Sequence, residues 1–382
     1  MRVAIEPKLI LWARQRAGLD NSAFLNRFPK LQDWEQGISQ PTLKQLETFA
    51  NATHVPLGIF FLPEPPKEQL PIPDFRMMGS ALFDQTSPDL LETIYLCQQR
   101  QEWYREYMQL HRAEPLNFVD SATIDVDIIK IAAEMRQILH FDLDKRQQLR
   151  MWSDAMRLFV ESVEKQGILV MASGVVGSNN KRTLKPEEFR GFVLVDKLAP
   201  VIFINSRDTK AAQMFTLAHE LAHIWLGESG ISDVQAIVTS NRQNERWCNQ
   251  VAAEFLVPLE NFQNTFTPHE ELQVEMQRLA RRYKVSTLVI LRRIYDLGAM
   301  SYETLSQTYG KELDRLKKKT RRSGDRGDFY QTLGVRVSRR FANALVTNTL
   351  EGQTLFRDAF RMLGIKKSAT FYQVAKKLGV KT

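Results

Sequence analysis

Cysteine is scarce in this 382-residue chain: there are only two, Cys97 and Cys248. Their wide separation excludes a disulfide framework and a cysteine-based zinc motif. Long apolar runs are also missing. The best, "GFVLVDKLAPVIFIN", is broken by Asp196, Lys197 and Pro200, well short of the roughly 18 apolar residues that a membrane helix needs. The first residues, "MRVAIEPKLI", offer no apolar targeting core and no small-residue cleavage site. No internal repeat or low-complexity tract breaks the pattern. These absences lead us to expect a cytoplasmic protein in a reducing compartment, with no membrane partner. Histidine is sparse too, with six in the whole chain, so any ordered cluster of them carries weight.

What is present is an ordinary globular composition, 43% hydrophobic and 25% charged, with a net charge of +8. The positive excess is uneven: residues 311–326 hold eight Lys/Arg against three Asp/Glu. Such a run reads as a solvated basic linker, while the overall charge permits nucleic-acid binding without demanding it. Residues 1–62 pattern as short helices, with Asp20 and Thr42 as N-caps. Five prolines in "LPEPPKEQLPIP" then exclude regular helix and sheet and mark a connector. A helical region follows from Ser87, then the β-type runs "ILVM", "GFVLVD" and "PVIFIN". Helices are expected over about 209–226 and 241–257, and two more within 270–310. The division expected is 1–62, a small helical domain; 63–149, proline-rich connector and helical linker region; 150–310, the domain that carries the chemistry; and 311–382, basic linker and small helical tail domain.

The segment "AAQMFTLAHELAHIWLG" holds His219, Glu220 and His223. Histidines four apart on a helix project from one face, so both imidazoles can reach one ion. Glu220, adjacent to them, can reach a water on that ion without being a ligand itself. A helical wheel puts Met214, Leu217, Ala218, Leu221, Ile224 and Trp225 on a broad apolar side. Thr216, His219, Glu220 and His223 share the narrow polar stripe. A helix this apolar is mostly buried, and buried ionisable groups are costly unless paired or metal-bound. A coincidental pair of core histidines is the competing reading, expected on the order of once per hundred chains or fewer.

Catalytic zinc needs three protein ligands and one open position. A third histidine six residues after His223 is excluded, because Ser229 stands there. The remaining candidates are Asp233, Glu245, Cys248, Glu254 and His269. On "NERWCNQVAAEFLVP" the apolar face is built by Trp247, Cys248, Val251, Ala252, Phe255 and Leu256. Glu245 falls within that face, whereas Glu254 lies just outside its opposite edge. Glu245 is therefore the best-placed third ligand, against the plainer role of a carboxylate that favours its helix N-terminus.

These residues together resemble the ImmA/IrrE family of metallopeptidases. The resemblance rests on Asn205 at the end of a strand, on Phe215 to Ala218 leading into the two histidines, on Glu245 to Asn249, and on Leu256 to Pro258. It implies an α+β, predominantly helical protein with a zincin-like (gluzincin-type) domain, a small sheet and a helical C-terminal tail domain. It also implies zinc held by His219, His223 and Glu245, with Glu220 as general base. The implied substrate is a regulatory protein, a DNA-binding repressor or an antitoxin, whose cleavage controls gene expression or a stress or mobile-element response. Residues 1–62 resemble a repressor-type (XRE) helix-turn-helix through "WARQRAGLD", "WEQG" and "PTLKQLETFA". The segment before "WEQG" is about four residues shorter than usual, which removes about one helical turn where a recognition helix would begin. That leaves Arg27, Lys30, Gln32 and Gln36 as candidate DNA contacts, with a module kept only for docking as the competing reading.

Two further readings stay open at this stage. The strand "PVIFIN" is either an edge to which a substrate backbone adds or an ordinary buried strand. The protein as a whole is a peptidase or, alternatively, a DNA- or protein-binding regulator whose zinc site is structural or sensory. Glu220 favours the peptidase, because a structural site has no need of a base.

Overall fold

The computed structural model describes residues 2–19, 22–75, 86–232, 242–320 and 329–380. Its architecture is α+β and predominantly helical, with one small mixed sheet among the described residues. The chain divides into two compact units, residues 1–71 with 78–92 and residues 72–77 with 93–382.

The first unit is a cluster of short helices around aromatic rings. Phe24, Phe28, Trp34, Phe49 and Phe60 are all buried and pack mostly edge-on or tilted, the geometry that ring quadrupoles favour. The helix Leu43–Thr53 begins with a reciprocal cap. The Thr42 hydroxyl accepts from the Gln45 amide, and the Gln45 side chain accepts from the Thr42 amide. Asp20, expected to cap the helix in "DNSAFLNRF", lies outside the described residues. The helices Ser22–Arg27 and Leu31–Glu35 are only six and five residues long. The ion pair Arg14–Glu35, 2.6 Å, ties the second of them to the helix Pro7–Arg16.

The second unit is organised by the helix Lys210–Leu226. Thr209 caps its start by accepting from the Ala212 amide, and Gly227, left-handed at φ 74°, ends it. Every residue from Gln213 to Trp225 is buried. One side packs on the sheet, and the others pack on the helices Trp152–Lys165 and Gln243–Leu256. Trp225 stacks on Phe118, and Phe141, Phe159 and Phe255 form a second stack. Burying a large apolar side chain of this kind contributes roughly 1.5–3 kcal/mol, so the helix is held rigidly from several directions.

The sheet runs β1 (Leu169–Ser173), β3 (Val201–Asn205), β2 (Gly191–Leu194), β4 (Gly230–Ser232) across its width. β1 and β3 are parallel; β2 is antiparallel to β3 and to β4. All four strands are fully buried, which explains their near-continuous apolar sequences. β3 lies between β1 and β2, so "PVIFIN" has no free edge and is an interior strand. The edge next to the helix of the two histidines belongs to β4 instead.

One further difference concerns the basic run. Two helices within 270–310, Leu272–Tyr283 and Thr287–Asp296, stand where they are expected, but a third, Tyr302–Thr320, continues into it. Buried Glu312 explains why. It pairs with Arg315 one turn on and accepts from the Thr287 hydroxyl, so this part of the charge is anchored to the core.

Candidate metal centre

Two helices and two strands bring the polar groups together. His219 and His223 lie one turn apart on Lys210–Leu226, with Nε2 atoms 3.1 Å from each other. Glu245, in the first turn of Gln243–Leu256, enters from the facing helix. Its Oε2 lies 3.3 Å from His219 Nε2 and its Oε1 3.1 Å from His223 Nε2. One ligand atom from each of the three lies within 4.8 Å of the others. All three side chains are almost wholly out of solvent.

Glu220 shares this pocket. Ser232 of β4 donates to its Oε2 at 3.2 Å, while its Oε1 is buried with no hydrogen-bond partner. Gly191 of β2 makes this arrangement possible. A Cβ there would sit 2.9 Å from Glu220 Oε1 and 2.6 Å from the Thr216 side chain. Glycine is thus required for the strand to approach the helix so closely.

Burial and mutual charge set the protonation states. Burial, which desolvates the ionised form, and the neighbouring Glu245 charge raise Glu220 to about 8 against the opposing pull of His219 and Ser232. Glu245 goes the other way, to about 2: burial opposes ionisation, but the two imidazoles overcome it. His219 is raised, since Glu245 outweighs the burial that disfavours its charged form, whereas His223 is lowered by burial. The Nδ1 atoms of both histidines make no hydrogen bond, and the Glu245 oxygens have no partner beyond the two imidazoles. Buried polar groups are rarely left this way. Two imidazole nitrogens and a carboxylate converging out of solvent suit a divalent cation such as zinc. The residues present therefore fit the metal.

The other candidate third ligands are elsewhere. Glu254 is buried in an ion pair with Arg293 and also accepts from the Leu259 amide. Cys248 is buried outside the cluster, its thiol raised well above its ordinary value by desolvation. His269 is exposed, and Asp233 lies outside the described residues. In the first unit Arg27, Lys30, Gln32 and Gln36 are all exposed; the Arg27 guanidinium sits over the Phe28 ring.

Residues 163–295 match the family model of the IrrE N-terminal-like domain, a peptidase family. The match supports a metallopeptidase-type function for this part of the chain, and the IrrE N-terminal-like segment contains His219, Glu220, His223 and Glu245. Residues 337–377 match a domain of unknown function. No curated protein matches the chain.

Four residues around the site carry no role that the sequence alone reveals: Phe75, Gly191, Ser232 and Asn249. Asn249 stood in the motif after Glu245. It is buried beside His219 and favours that ring's protonated form. Gly191 and Ser232 depend on strand pairing, which carries no local signal. Phe75 stacks on His223 with ring centroids 5.7 Å apart, although about 150 residues separate the two in the chain.

Proposed function

We propose that the chain is a zinc-dependent endopeptidase with His219, His223 and Glu245 as metal ligands and Glu220 as general base. A zinc ion held there supplies Lewis-acid polarisation of the scissile carbonyl and acidifies water. Glu220 accepts the proton of the attacking water and returns it to the leaving amine nitrogen. Ser232 fixes one Glu220 oxygen and leaves the other for proton transfer. The observation that carries the reading is Glu220 itself, buried beside three convergent ligands, with a free oxygen and an affinity for protons raised to about 8. A purely structural or sensory zinc site gains nothing from a desolvated carboxylate in that place, and desolvation is costly.

The substrate we propose is a regulatory protein, a DNA-binding repressor or an antitoxin, recognised with the help of residues 1–62. The likeness of residues 163–295 to the ImmA/IrrE family and of residues 1–62 to repressor modules supports this. The test is co-expression of wild type and Glu220→Gln with the products of neighbouring genes. The isosteric glutamine cannot take a proton, so the variant is expected to keep zinc and fold while cleavage stops. Undiminished cleavage by Glu220→Gln would remove the general-base mechanism.

A further inference from the structure

The outer edge of β4 is not empty. Residues 73–75, the end of the proline-rich stretch, run along it in parallel. The Ile231 amide donates to the Pro73 carbonyl at 3.0 Å, and the Phe75 amide donates to the Ile231 carbonyl at 2.9 Å. This pairing lies immediately over the candidate centre, because Ser232, next in β4, holds Glu220. The Phe75 ring lies nearly parallel to the His223 imidazole, at 11°. The Arg242 guanidinium covers the same ring at 5.4 Å and donates to the Asp74 carbonyl at 3.0 Å. On the strand side the fit depends on Gly230, where a Cβ would come within 2.2 Å of the ring. The segment thus makes the contacts of a bound peptide: main-chain pairing to a sheet edge, a carbonyl held by a cation, and a side chain in a shaped place.

We propose that Pro73, Asp74 and Phe75 are an internal peptide ligand of the site, holding the β4 edge against an extended substrate until they are displaced. This rests on the peptidase reading above and deepens it. Three observations favour a dedicated role over incidental packing. Pro71 and Pro73 restrict the segment toward an extended backbone, which lowers the entropy lost on pairing. Tethering gives it a high effective concentration at the edge, so an incoming peptide must outcompete an intramolecular rival. Finally, the segment lies outside residues 163–295, so it reaches the site from beyond the stretch that matches the peptidase family.

The experiment compares the full zinc-loaded chain with Phe75→Ala and Gly230→Ala. The first removes the ring; the second keeps it and fills its place from the strand. Hydrogen exchange at the Ile231 amide and the rate of zinc loss to a chelator are measured, with melting curves to show that both variants fold. In wild type the Ile231 amide is expected to be protected. In both variants its exchange and the zinc loss are expected to rise at least ~10-fold, as a local opening lowers protection. An unprotected Ile231 amide in wild type, or unchanged exchange and zinc loss in both variants, would overturn the proposal. Labelled casein adds a separate arm. Cleavage is expected to rise in Phe75→Ala, and equal nonzero cleavage would refute inhibition by the segment. If exchange and zinc loss respond but neither protein cuts casein or any co-expressed partner, occupancy of the edge stands and the peptidase reading falls.

Discussion

Cys97 and Cys248 show how completely burial can govern a single residue. Desolvation pushes the Cys97 thiol up to about 12 and Cys248 well above its ordinary range. Since the thiolate is the reactive form, neither is expected to be alkylated by iodoacetamide at pH 8 in the folded protein. Both should react once the chain is denatured, and mass spectrometry on the two samples checks this. Glu245 shows the opposite balance, since the two imidazoles keep it ionised despite burial. Glu245→Ala removes one of three ligands and leaves two histidines facing a cavity. That variant is expected to lose its zinc on dialysis under conditions where wild type retains it. Asn249→Ala leaves the ligands in place and withdraws only a neighbour of His219. It is expected to weaken zinc affinity by roughly 10–100-fold, the usual cost of losing an outer-shell partner, as competition with a chromogenic chelator would show.

At the scale of elements, the helix Lys210–Leu226 was legible because its apolar face is periodic; the caps Thr209 and Gly227 came with the structure. The Glu245 helix was equally plain. β4 was not, since three residues containing a glycine carry no periodicity, and its existence depends on pairing with β2. The interior place of β3 likewise follows from pairing partners and not from its own sequence, which suits an edge and a buried strand alike. The end of the helix Tyr302–Thr320 was obscured because net charge in a window does not show that Glu312 is buried.

Another such long-range link joins the helices Trp152–Lys165 and Arg339–Leu350. Glu164 accepts from the Ser338 hydroxyl and, at 3.0 Å, from the Arg339 amide. Burial nevertheless leaves Glu164 with a raised pKa. The folded chain therefore holds a proton there that the unfolded chain releases. Its contribution to stability is full below the ordinary carboxylate range and declines as pH rises through the folded value. Glu164→Gln, which does not titrate, is expected to flatten that part of the pH–stability curve. Urea melts of both proteins between pH 4 and pH 8 would show it, and identical slopes would contradict it.

For the whole molecule, two features frame the chemistry: a net charge of +8 and a small first unit that exposes Arg27, Lys30, Gln32 and Gln36. Among the described residues, no helix is long and apolar enough to cross a membrane. Contacts to phosphates alone give affinity that falls steeply with salt and little sequence preference. The chain is therefore expected to bind DNA weakly at low salt, with its own promoter and scrambled DNA nearly equivalent and both released near physiological salt. A titration with each DNA at two salt concentrations measures this; tight, sequence-selective binding at physiological salt would show the short helices Ser22–Arg27 and Leu31–Glu35 to be a true reader. The proposed mechanism requires that His219, His223 and Glu245 form one metal centre beside Glu220. Anomalous diffraction at the zinc edge from crystals of the zinc-loaded chain tests this most directly. A single zinc per chain is expected, about 2.0–2.2 Å from one atom of each of these three residues and not coordinated by Glu220. A zinc bound without Glu245, or bound elsewhere with this pocket left vacant, would contradict it.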